Sequence, residues 1–355
     1  MIDLLRSTYQ NKKVFLTGHT GFKGSWLLAV LNYLGAEVKG FALAPEDEPA
    51  LFNLLNGNSL CDSVIADINN LPKITEEVKK FQPDFIFHFA AQSIVRKSYE
   101  EPINTFTTNA IGTANLLEAI RSLDNECMVV IITTDKVYEN LEQDYPYKES
   151  DKLGGFDPYS SSKACAEIIA ASYKRSFLNP DDFEKHKKSI STARSGNVIG
   201  GGDRCKDRII PDMIKALEAG QPLQVRNPAS VRPWQHVLEP LGGYLLLGAK
   251  QKEDPIKFAD SFNFGPAIDD NLSVEGLVEI ALKFWGSGSY EKPDTSGDPH
   301  EAELLKLDIS KARLELDWEP ELNSEMAITK TMEWYKNAVS SEREYTLNQI
   351  KTYFE

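Results

Sequence analysis

The sequence predicts an α/β fold in which a doubly wound parallel sheet carries a smaller, interleaved C-terminal lobe. Three observations lead to this prediction. Apolar runs of strand length alternate with helical patterns through about residue 200, as they do in parallel sheets joined by right-handed crossovers. A glycine-rich turn separates the first apolar run from the first helical pattern. The chain of 355 residues is also long enough to bury a large core.

The first predicted strand spans residues 12–17 and runs into a turn of sequence GHTGFKG at residues 18–24. A helix is predicted from Ser25 to about Gly35. Glycines three apart at a strand-to-helix turn let the backbone approach a pyrophosphate, which then sits on the helix N-terminus. This context indicates a Rossmann-type site for a dinucleotide, although a plain glycine-rich turn would have the same composition.

The second strand, residues 36–43, is predicted to end beside the ribose of a bound dinucleotide. Such sites usually place an Asp or Glu there for the 2′-hydroxyl, or an Arg for a 2′-phosphate. Neither type of residue is at the strand end, because the nearest carboxylates, Glu46 and Asp47, follow only beyond residue 43. At this point of the sequence, only the missing arginine favours NAD over NADP.

Two further apolar runs carry candidate cofactor contacts at their ends. Residues 64–68 form a short predicted strand that offers the carboxylate of Asp67. Residues 84–89 form a buried predicted strand that is followed by Ala90 and Ala91. Because small side chains there would let a cofactor lie flat against the backbone, we expect the cofactor at this strand end.

The next strand carries an acid and a lysine at its end. The apolar run of residues 128–133 predicts a buried strand, and Thr134, Asp135 and Lys136 follow it directly. Side chains at the end of a buried strand of a parallel sheet are placed at the edge where ligands of this architecture bind. The triplet is therefore a candidate for acid–base chemistry.

The following helix carries a tyrosine and a second lysine. Asp157 and Pro158 suit the N-cap and the first turn of a helix. Tyr159 and Lys163 then share one face of it, because they lie four residues apart. These two residues and the preceding triplet indicate a site that moves protons.

The pairing of Tyr159 with Lys163 has a physical rationale. A phenol ionises near pH 10, so a tyrosine that acts as a base near pH 7 needs its phenolate stabilised by about 4 kcal/mol. One ammonium about 4–5 Å away supplies roughly that much at an effective dielectric near 20. Without the glycine turn upstream, both residues would be interpreted as ordinary helix residues.

The composition excludes several classes of partner. Acidic residues outnumber basic ones by 53 to 39, giving a net charge of −14, which argues against nucleic acid or an anionic membrane as a partner. No apolar stretch reaches about 18 residues and the N-terminus lacks a secretory pattern, so a cytoplasmic protein is expected. The four scattered cysteines form no Cys-x-x-Cys pair, so neither disulfides nor a metal site is predicted.

These motifs resemble those of the extended short-chain dehydrogenase/reductases. The resemblance runs from about residue 8 to 338 and, within that family, it is to the CDP-D-glucose 4,6-dehydratases. Lys136 discriminates best, because the related dTDP-glucose enzymes carry a glutamate at that place. The motifs are GHTGFKGSW at 18–26, the triplet at 134–136, Tyr159 with Lys163, RSGNVIGGGD at 194–203, RPWQHV at 232–237 and FNFGP at 262–266.

The resemblance implies a redox-neutral dehydration of CDP-D-glucose with NAD as cofactor, for deoxysugar biosynthesis. Tyr159, assisted by Lys163, would take the proton of the sugar 4-hydroxyl while hydride leaves C4. Asp135 would protonate the departing 6-hydroxyl. Lys136 would exchange the C5 proton, which we favour, or would stabilise the enolate or orient Asp135 if it stays charged. Thr134 would hydrogen-bond the 4-oxygen.

The same resemblance implies two sets of binding residues and no metal ligand. Cofactor contacts are expected from Gly18, Thr20, Gly21, Phe22, Lys23, Gly24, Asp67, Ile68, Ala90, Ala91, Gln92, Asn109, Thr133, Tyr159 and Lys163. Substrate contacts are expected from Ser93, Arg96, Asn197, Arg208, Arg232 and His236. Arg208 and Arg232 are candidates for the pyrophosphate, because a guanidinium fork matches phosphate oxygens.

The chain is predicted to divide into two interleaved parts. Residues 8–195 should form the NAD-binding domain and residues 196–338 mainly the substrate lobe, with some segments returning to the first domain. Residues 339–355 are expected to be a polar helical or frayed tail. Residues 286–300 should form a loop that either covers a site or is plain surface.

The expected assembly follows from the resemblance and not from the residues themselves. Helices 104–122 and 160–177 resemble those that pair across a four-helix interface in this family. The resemblance therefore implies a homodimer or a dimer of dimers.

Three other interpretations stay open. The same chemistry would serve a dehydratase of another nucleotide sugar. A C4 epimerase would also use Tyr159 and Lys163 with NAD, but would not need Asp135 and Lys136. An NAD-binding regulatory protein without catalysis is a different class, and the intact triplet at 134–136 speaks against it.

Overall fold

The structure is a computed structural model that describes residues 1–46, 49–293, 304–338 and 341–355. Asp47 and residues 294–300 of the loop predicted over 286–300 lie outside the described residues. The strands are β1 (Lys13–Thr17), β2 (Glu37–Ala42), β3 (Asp62–Ile65), β4 (Phe85–His88), β5 (Cys127–Ile132), β6 (Pro146–Tyr147), β7 (Lys188–Arg194), β8 (Val198–Ile199), β9 (Leu223–Gln224), β10 (Val231–Arg232), β11 (Gln235–His236), β12 (Ser261–Asn263), β13 (Leu272–Ser273), β14 (Tyr290–Glu291) and β15 (Lys306–Leu307).

The helices alternate with these strands through the first half of the chain. They are α1 (Ile2–Tyr9), α2 (Phe22–Tyr33), α3 (Leu51–Leu54), α4 (Leu71–Phe81), α5 (Val95–Glu100), α6 (Pro102–Phe106), α7 (Gly112–Arg121), α8 (Pro158–Ser176), α9 (Phe183–His186), α10 (Ile209–Ala219), α11 (Leu238–Glu253), α12 (Val274–Trp285), α13 (Ser324–Asn337) and α14 (Glu342–Phe354). A π-helical segment, Thr107–Ile111, joins α6 to α7.

A parallel sheet forms the centre of the molecule. Within the described residues it has seven strands in the order β12-β7-β5-β4-β1-β2-β3. The direction of winding reverses between β1 and β4, because β1 pairs with β2 on one side and with β4 on the other. Ligands of doubly wound sheets bind beside such a reversal, at the carboxyl ends of the strands. The predicted fold class is confirmed, and it directs attention to the ends of β1, β4 and β5.

Segments from late in the chain complete this sheet. β12 pairs in parallel with β7, with Ser261 opposite Thr192 and Asn263 opposite Arg194. α11 packs against β5, and the hydroxyl of its Tyr244 meets the hydroxyl of Ser195 just beyond β7. The short pairs β8–β11, β9–β14 and β10–β13 lie outside the main sheet, in the part of the chain for which the second lobe is predicted.

Apolar side chains fill both faces of the sheet. On one face, the fully buried Trp26 of α2 packs in a cluster that extends into the second lobe, and its indole N–H donates to the Gly201 carbonyl at 2.9 Å. On the other face, Leu116 and Ile120 of α7 pack with residues of α4. Complete burial of one such side chain contributes about 1.5–3 kcal/mol to the stability of the fold. The packing on both faces therefore fixes the sheet and the positions of its strand ends.

The segment predicted to be a polar helical or frayed tail contains a helix, α14, that packs on the rest of the protein. Its Tyr353 hydroxyl donates to the buried Glu239 carboxylate at 2.9 Å, and Thr346 accepts from the indole of Trp334 at 2.9 Å. Burial raises the pKa of Glu239 to about 7. Among the described residues, none of the helices is long and apolar enough to cross a membrane.

Candidate active site

The glycine turn between β1 and α2 is packed so closely that side chains are excluded from it. Gly18 has a φ of 74°, and a Cβ there would lie 2.8 Å from the backbone nitrogen of Ala90. A Cβ on Gly24 would lie 2.0 Å from the Gly18 carbonyl oxygen. Gly21, by contrast, is exposed, and a Cβ there would meet only the Gly18 carbonyl at 3.6 Å. The turn therefore opens to the outside at Gly21.

This opening coincides with the start of α2. Gly21 is the N-cap of the helix and no side chain caps it, so amides of the first turn stay available to an anion. Thr20 ties the turn to the end of β2, because its hydroxyl donates to the Leu43 carbonyl at 2.9 Å. The arrangement fits the pyrophosphate of a dinucleotide.

The acidic residue after β5 is held in a buried polar cluster. Asp135 has no exposed surface. Its Oδ1 accepts from the Thr134 hydroxyl and from the Lys136 ammonium, both at 2.9 Å, and its Oδ2 accepts from the Asn197 amide at 3.3 Å. A Cβ on Gly196 would lie 1.8 Å from Oδ2, so the carboxylate occupies the space that a side chain at 196 would need.

The helix that carries the tyrosine and lysine begins as predicted. Asp157 caps α8 by accepting from the Ser160 amide at 2.9 Å, with Pro158 at the first position. The Lys163 ammonium donates to the Ile132 carbonyl at the end of β5, at 2.9 Å. Burial lowers the pKa of Lys163 to about 8, against the opposing charge of Glu167.

The pKa of Tyr159 differs from the expectation that the Lys163 ammonium lowers it. Burial raises the pKa of Tyr159 to about 12, and its hydrogen bond with Thr134 acts in the opposite direction. The Lys163 ammonium is bonded to the Ile132 carbonyl. In this state the phenol is protonated at neutral pH. It would need added positive charge at the site, such as a bound nicotinamide cation, before it could serve as a base.

A buried ion pair lies behind the strand end. Glu167, one turn after Lys163 on α8, receives two hydrogen bonds from the guanidinium of Arg194, at 3.0 and 2.9 Å. The same carboxylate accepts from the hydroxyls of Thr133 at 2.6 Å and Thr192 at 2.7 Å. The sequence reasoning missed Glu167, although its spacing of four from Lys163 places it on the same helix face.

One large cavity of about 650 Å³ connects the strand ends with the second lobe. Basic side chains are concentrated on its wall, namely Lys23, Arg96, Lys136, Lys163, Arg208, Arg226 and Arg232. Arg208 donates to the Asp203 carboxylate at 3.0 Å and to the Ser93 hydroxyl at 2.9 Å, and so bridges the two lobes. In a chain with a net charge of −14, this concentration of cations fits an anionic ligand such as a diphosphate.

Most predicted contact residues reach this cavity. On its wall are Phe22, Lys23, Ala91, Ser93, Arg96, Thr133, Thr134, Lys136, Tyr159, Lys163, Asn197, Arg208 and Arg232. Gly18, Thr20, Gly21, Gly24 and Ala90 belong to the glycine turn and the strand end that packs on it. The sequence reasoning missed Ser195 and Arg226, which also line the cavity. Arg226 pairs with Asp207 at 3.2 Å.

Several predicted contacts lie off the cavity wall. Gln92 and Asn109 are buried and hydrogen-bonded to each other. The backbone N–H of Gln92 donates to Asn109 Oδ1 at 2.8 Å. Asp67 is exposed beyond β3, with Ile68 buried next to it. Asp135 lies behind the wall instead of on it.

His236 is placed differently from the predicted substrate contact. Its side chain has no exposed surface and lies edge-to-face with Trp26, with ring centroids 5.9 Å apart. Burial lowers the pKa of His236 to about 3, so the ring is neutral. In this structure it packs the core and does not reach the cavity.

Comparisons with known proteins agree with this architecture. The family model described as GDP-mannose 4,6 dehydratase matches residues 15–331. A CDP-glucose 4,6-dehydratase of Salmonella typhimurium is 44% identical over 342 residues, covering 96% of this chain and 95% of the relative. A dTDP-glucose 4,6-dehydratase of Xanthomonas campestris is 26% identical, covering 90% of this chain and 92% of the relative.

Solved structures share the fold. A dTDP-glucose 4,6-dehydratase of Streptomyces venezuelae with NAD bound superposes with a TM-score of 0.78 at 24% identity, covering 91% of this chain and 97% of the other. A UDP-glucose 4-epimerase of Thermotoga maritima superposes with a TM-score of 0.76 at 21% identity, covering 92% of this chain and 100% of the other. At these identities the likeness concerns the fold.

Proposed function

The chain belongs to the GDP-mannose 4,6-dehydratase family of extended short-chain dehydrogenase/reductases, and we propose that it converts CDP-D-glucose to CDP-4-dehydro-6-deoxy-D-glucose with NAD as cofactor. One observation carries the proposal. Thr134 and Lys136, which both donate hydrogen bonds to the buried Asp135 carboxylate, line the same cavity as Tyr159. A dehydratase needs both an oxidation site and an elimination site, and these residues include candidates for each.

Each half of the reaction draws on different side chains. Bound NAD supplies an acceptor for the C4 hydride and later a donor of it to C6. Tyr159 takes the proton of the 4-hydroxyl, and Lys163 holds positive charge next to the cofactor site. The resulting 4-keto group makes the C5 proton acidic. Asp135 then protonates the 6-hydroxyl as it leaves as water.

The position of Lys136 bears on its role. Its side chain is 23% exposed, and its ammonium donates to Asp135 Oδ1 at 2.9 Å. In this geometry it orients the acid and adds positive charge where an enolate would form. A role as the base for C5 would require the ammonium to lose a proton and to leave Asp135.

The basic side chains of the cavity support binding of a nucleoside diphosphate. Arg208 and Arg232 are the proposed ligands of the diphosphate of the sugar nucleotide, and Ser93, Asn197 and Arg96 line the same cavity. A guanidinium binds a phosphate through two parallel hydrogen bonds. In this proposal the second lobe holds the nucleotide, and the sugar reaches the ends of β4 and β5.

Mass spectrometry of products from a panel of nucleotide hexoses tests this function. We expect CDP-glucose to lose one water and to give a 4-keto-6-deoxy sugar, without net accumulation of reduced nicotinamide, because the hydride returns to the product. A faster reaction with the UDP- or dTDP-sugar would move the assignment to another nucleotide. A product of unchanged mass with inverted C4 would identify an epimerase, and stoichiometric reduced cofactor would identify an ordinary dehydrogenase.

The surface of two helices supports a homodimer. α6 and the π-helical segment pack against α8. Ile103, Ile111 and Ile168 on these elements are 77%, 52% and 57% exposed, and Phe177 directly after α8 is 50% exposed. Grouped exposed apolar side chains commonly mark an interface. We infer that two copies pair through this face as a dimer or a dimer of dimers.

Light scattering after size-exclusion chromatography tests the interface. We expect the Ile103→Glu, Ile168→Glu double variant to shift toward monomer, because burying two carboxylates in an apolar interface is unfavourable. Leu314→Glu is the matched control, since Leu314 is 85% exposed and lies on a different segment. An equal effect of both changes, or a monomeric wild type, would contradict the inference.

The excess of acidic residues, giving a net charge of −14, argues against nucleic-acid or anionic-membrane partners, and we propose a cytoplasmic location. Cell fractionation and a nucleic-acid retention assay would check this.

A further inference from the structure

We propose that Gln235 is a positioning residue for the acid of the elimination step. Its side-chain amide holds Gly196 against the Asp135 carboxylate and so keeps that carboxylate in one orientation. This role rests on the proposed 4,6-dehydratase function and adds to it a residue that does not itself line the cavity.

The Asp135 carboxylate is held from two sides. Its Oδ1 accepts from Thr134 and Lys136, its two neighbours in the chain, both at 2.9 Å. Its Oδ2 faces a turn just after β7, from which the Asn197 amide donates at 3.3 Å. A Cβ on Gly196 would lie 1.8 Å from Oδ2, 2.0 Å from Cγ and 2.2 Å from Oδ1. Gly196 therefore lies over the whole carboxyl group, and its position limits how far that group can turn.

Gln235 holds this turn through both its side chain and its backbone. The side-chain Nε2 donates to the Gly196 carbonyl at 3.1 Å and to the Phe264 carbonyl at 3.0 Å. The backbone N–H of Gln235 donates to the Asn197 carbonyl at 3.3 Å. Because Gln235 is only 1% exposed, water does not compete for these hydrogen bonds. One residue thus binds both carbonyls of the turn that covers Asp135.

The second acceptor of the amide is fixed to the central sheet. Phe264 directly follows β12, and its N–H donates to the Arg194 carbonyl at the end of β7, at 2.8 Å. Its ring is fully buried and lies edge-to-face with Trp318, with ring centroids 5.1 Å apart. The Gln235 amide therefore ties Gly196 to a carbonyl that the sheet holds in place.

The turn has a backbone conformation that benefits from such support. Asn197 has a φ of 48°, in the left-handed region that residues other than glycine adopt less readily than the right-handed one. Hydrogen bonds to the carbonyls of Gly196 and Asn197 stabilise this conformation. In it, the Asn197 amide is directed at Asp135.

Gln235 acts here through its two N–H donors. Both acceptors of its side chain are carbonyl oxygens, so the amide nitrogen must face them. In the described part of the chain, its Oε1 is buried without a hydrogen-bond partner, which is unfavourable. An apolar side chain of the same length would avoid that cost but would leave the Gly196 carbonyl without its donor.

The orientation of Asp135 matters for only one half of the reaction. To protonate the 6-hydroxyl as its C–O bond breaks, the acid must lie within hydrogen-bond reach of that oxygen. A displacement of about 1 Å can lower such a rate by about 10²-fold. Oxidation at C4 does not use Asp135. Loss of the Gln235 amide should therefore slow elimination selectively.

Single-turnover kinetics of Gln235→Met provide the test, with the enzyme in saturating excess over CDP-glucose so that weaker binding has no effect. Methionine keeps the length of the side chain and removes both donors. Reduced-nicotinamide absorbance follows oxidation, and quenched product analysis follows elimination. We expect oxidation within about threefold of the wild type and elimination slower by about 10²-fold, so that reduced nicotinamide builds up on the enzyme.

Gln251→Met is the matched control. Gln251 on α11 is also fully buried, and its Nε2 donates to the Val129 carbonyl at 3.3 Å and to the Ser189 hydroxyl at 3.2 Å. Its Oε1 likewise has no hydrogen-bond partner among the described residues. The melting temperature should fall by a similar amount in both variants, but Gln251→Met should keep the wild-type ratio of elimination to oxidation.

A second variant, Gln235→Asn, keeps the amide and shortens its reach by one methylene, so that it cannot contact both carbonyls. It should show a smaller loss of elimination relative to oxidation. If Gln235→Met does not fold, Gln235→Asn provides the same comparison with Gln251→Met.

The positioning role is overturned if the two rates fall by the same factor in the Gln235 variants, if both rates stay at the wild-type level, or if Gln251→Met changes their ratio equally. Failure of the underlying function would look different, because the wild type itself would then form no 4-keto-6-deoxy product from CDP-glucose.

Discussion

Tyr159→Phe should lower the turnover of CDP-glucose by about 10²–10⁴-fold, the contribution of a general base, while the fold and NAD binding persist. The change removes one hydroxyl from the cavity wall, and the loss of the hydrogen bonding of one hydroxyl costs about 0.5–1.5 kcal/mol of stability. Steady-state kinetics, thermal unfolding and calorimetric titration with NAD would measure the three quantities.

Tyr9→Phe is a suitable control for that variant. Tyr9 is also buried, its hydroxyl donates to the Leu245 carbonyl at 2.7 Å, and it does not line the cavity. It should lose a similar amount of stability and keep its turnover. Turnover of Tyr159→Phe within about tenfold of the wild type would remove the base assignment, since a general base contributes more than that.

Asp135→Asn should separate the two halves of the reaction. Oxidation at C4 uses Tyr159 and the cofactor, whereas elimination needs an acid for the 6-hydroxyl. The amide keeps the size of the carboxylate, which matters because a Cβ at Gly196 would already lie 1.8 Å from Oδ2. We expect reduced nicotinamide and the 4-ketohexose to accumulate on the enzyme, with deoxysugar formation slower by about 10²–10⁴-fold.

Lys136→Met complements the aspartate variant by testing the C5 proton. If the lysine is the base, exchange of solvent deuterium into C5 should fall together with elimination. Undiminished exchange in this variant would leave Lys136 as the group that orients Asp135 and stabilises the enolate. For Asp135→Asn, normal elimination without accumulation of the oxidised intermediate would assign the acid to another residue.

The sequence predicted those features that depend on local signals. The start of α8 follows from Asp157 and Pro158, and the spacing of Tyr159 and Lys163 follows from the helical repeat. The glycine turn lies between a strand and a helix as expected, and the fold class was correct. These features depend on residues that are neighbours in the chain, so a sequence pattern is sufficient to recognise them.

The features that the sequence did not predict depend on distant contacts. Asp135 is buried because Asn197, 62 positions away, and Gly196 close over it. The Lys163 ammonium donates a hydrogen bond to the Ile132 carbonyl, 31 positions away in the chain. His236 is within a motif, yet its ring packs on Trp26. A one-dimensional pattern contains the residue types but not the tertiary partners that determine their exposure.

The placement of β12 has a consequence for how the protein is made. This strand covers the edge of β7, and α11 covers β5, but both emerge from the ribosome well after the strands on which they pack. Until then, the growing chain exposes an unpaired strand edge and an uncovered apolar sheet face, which are prone to aggregation. The sheet therefore matures late during translation, through contacts of high sequence separation that form slowly.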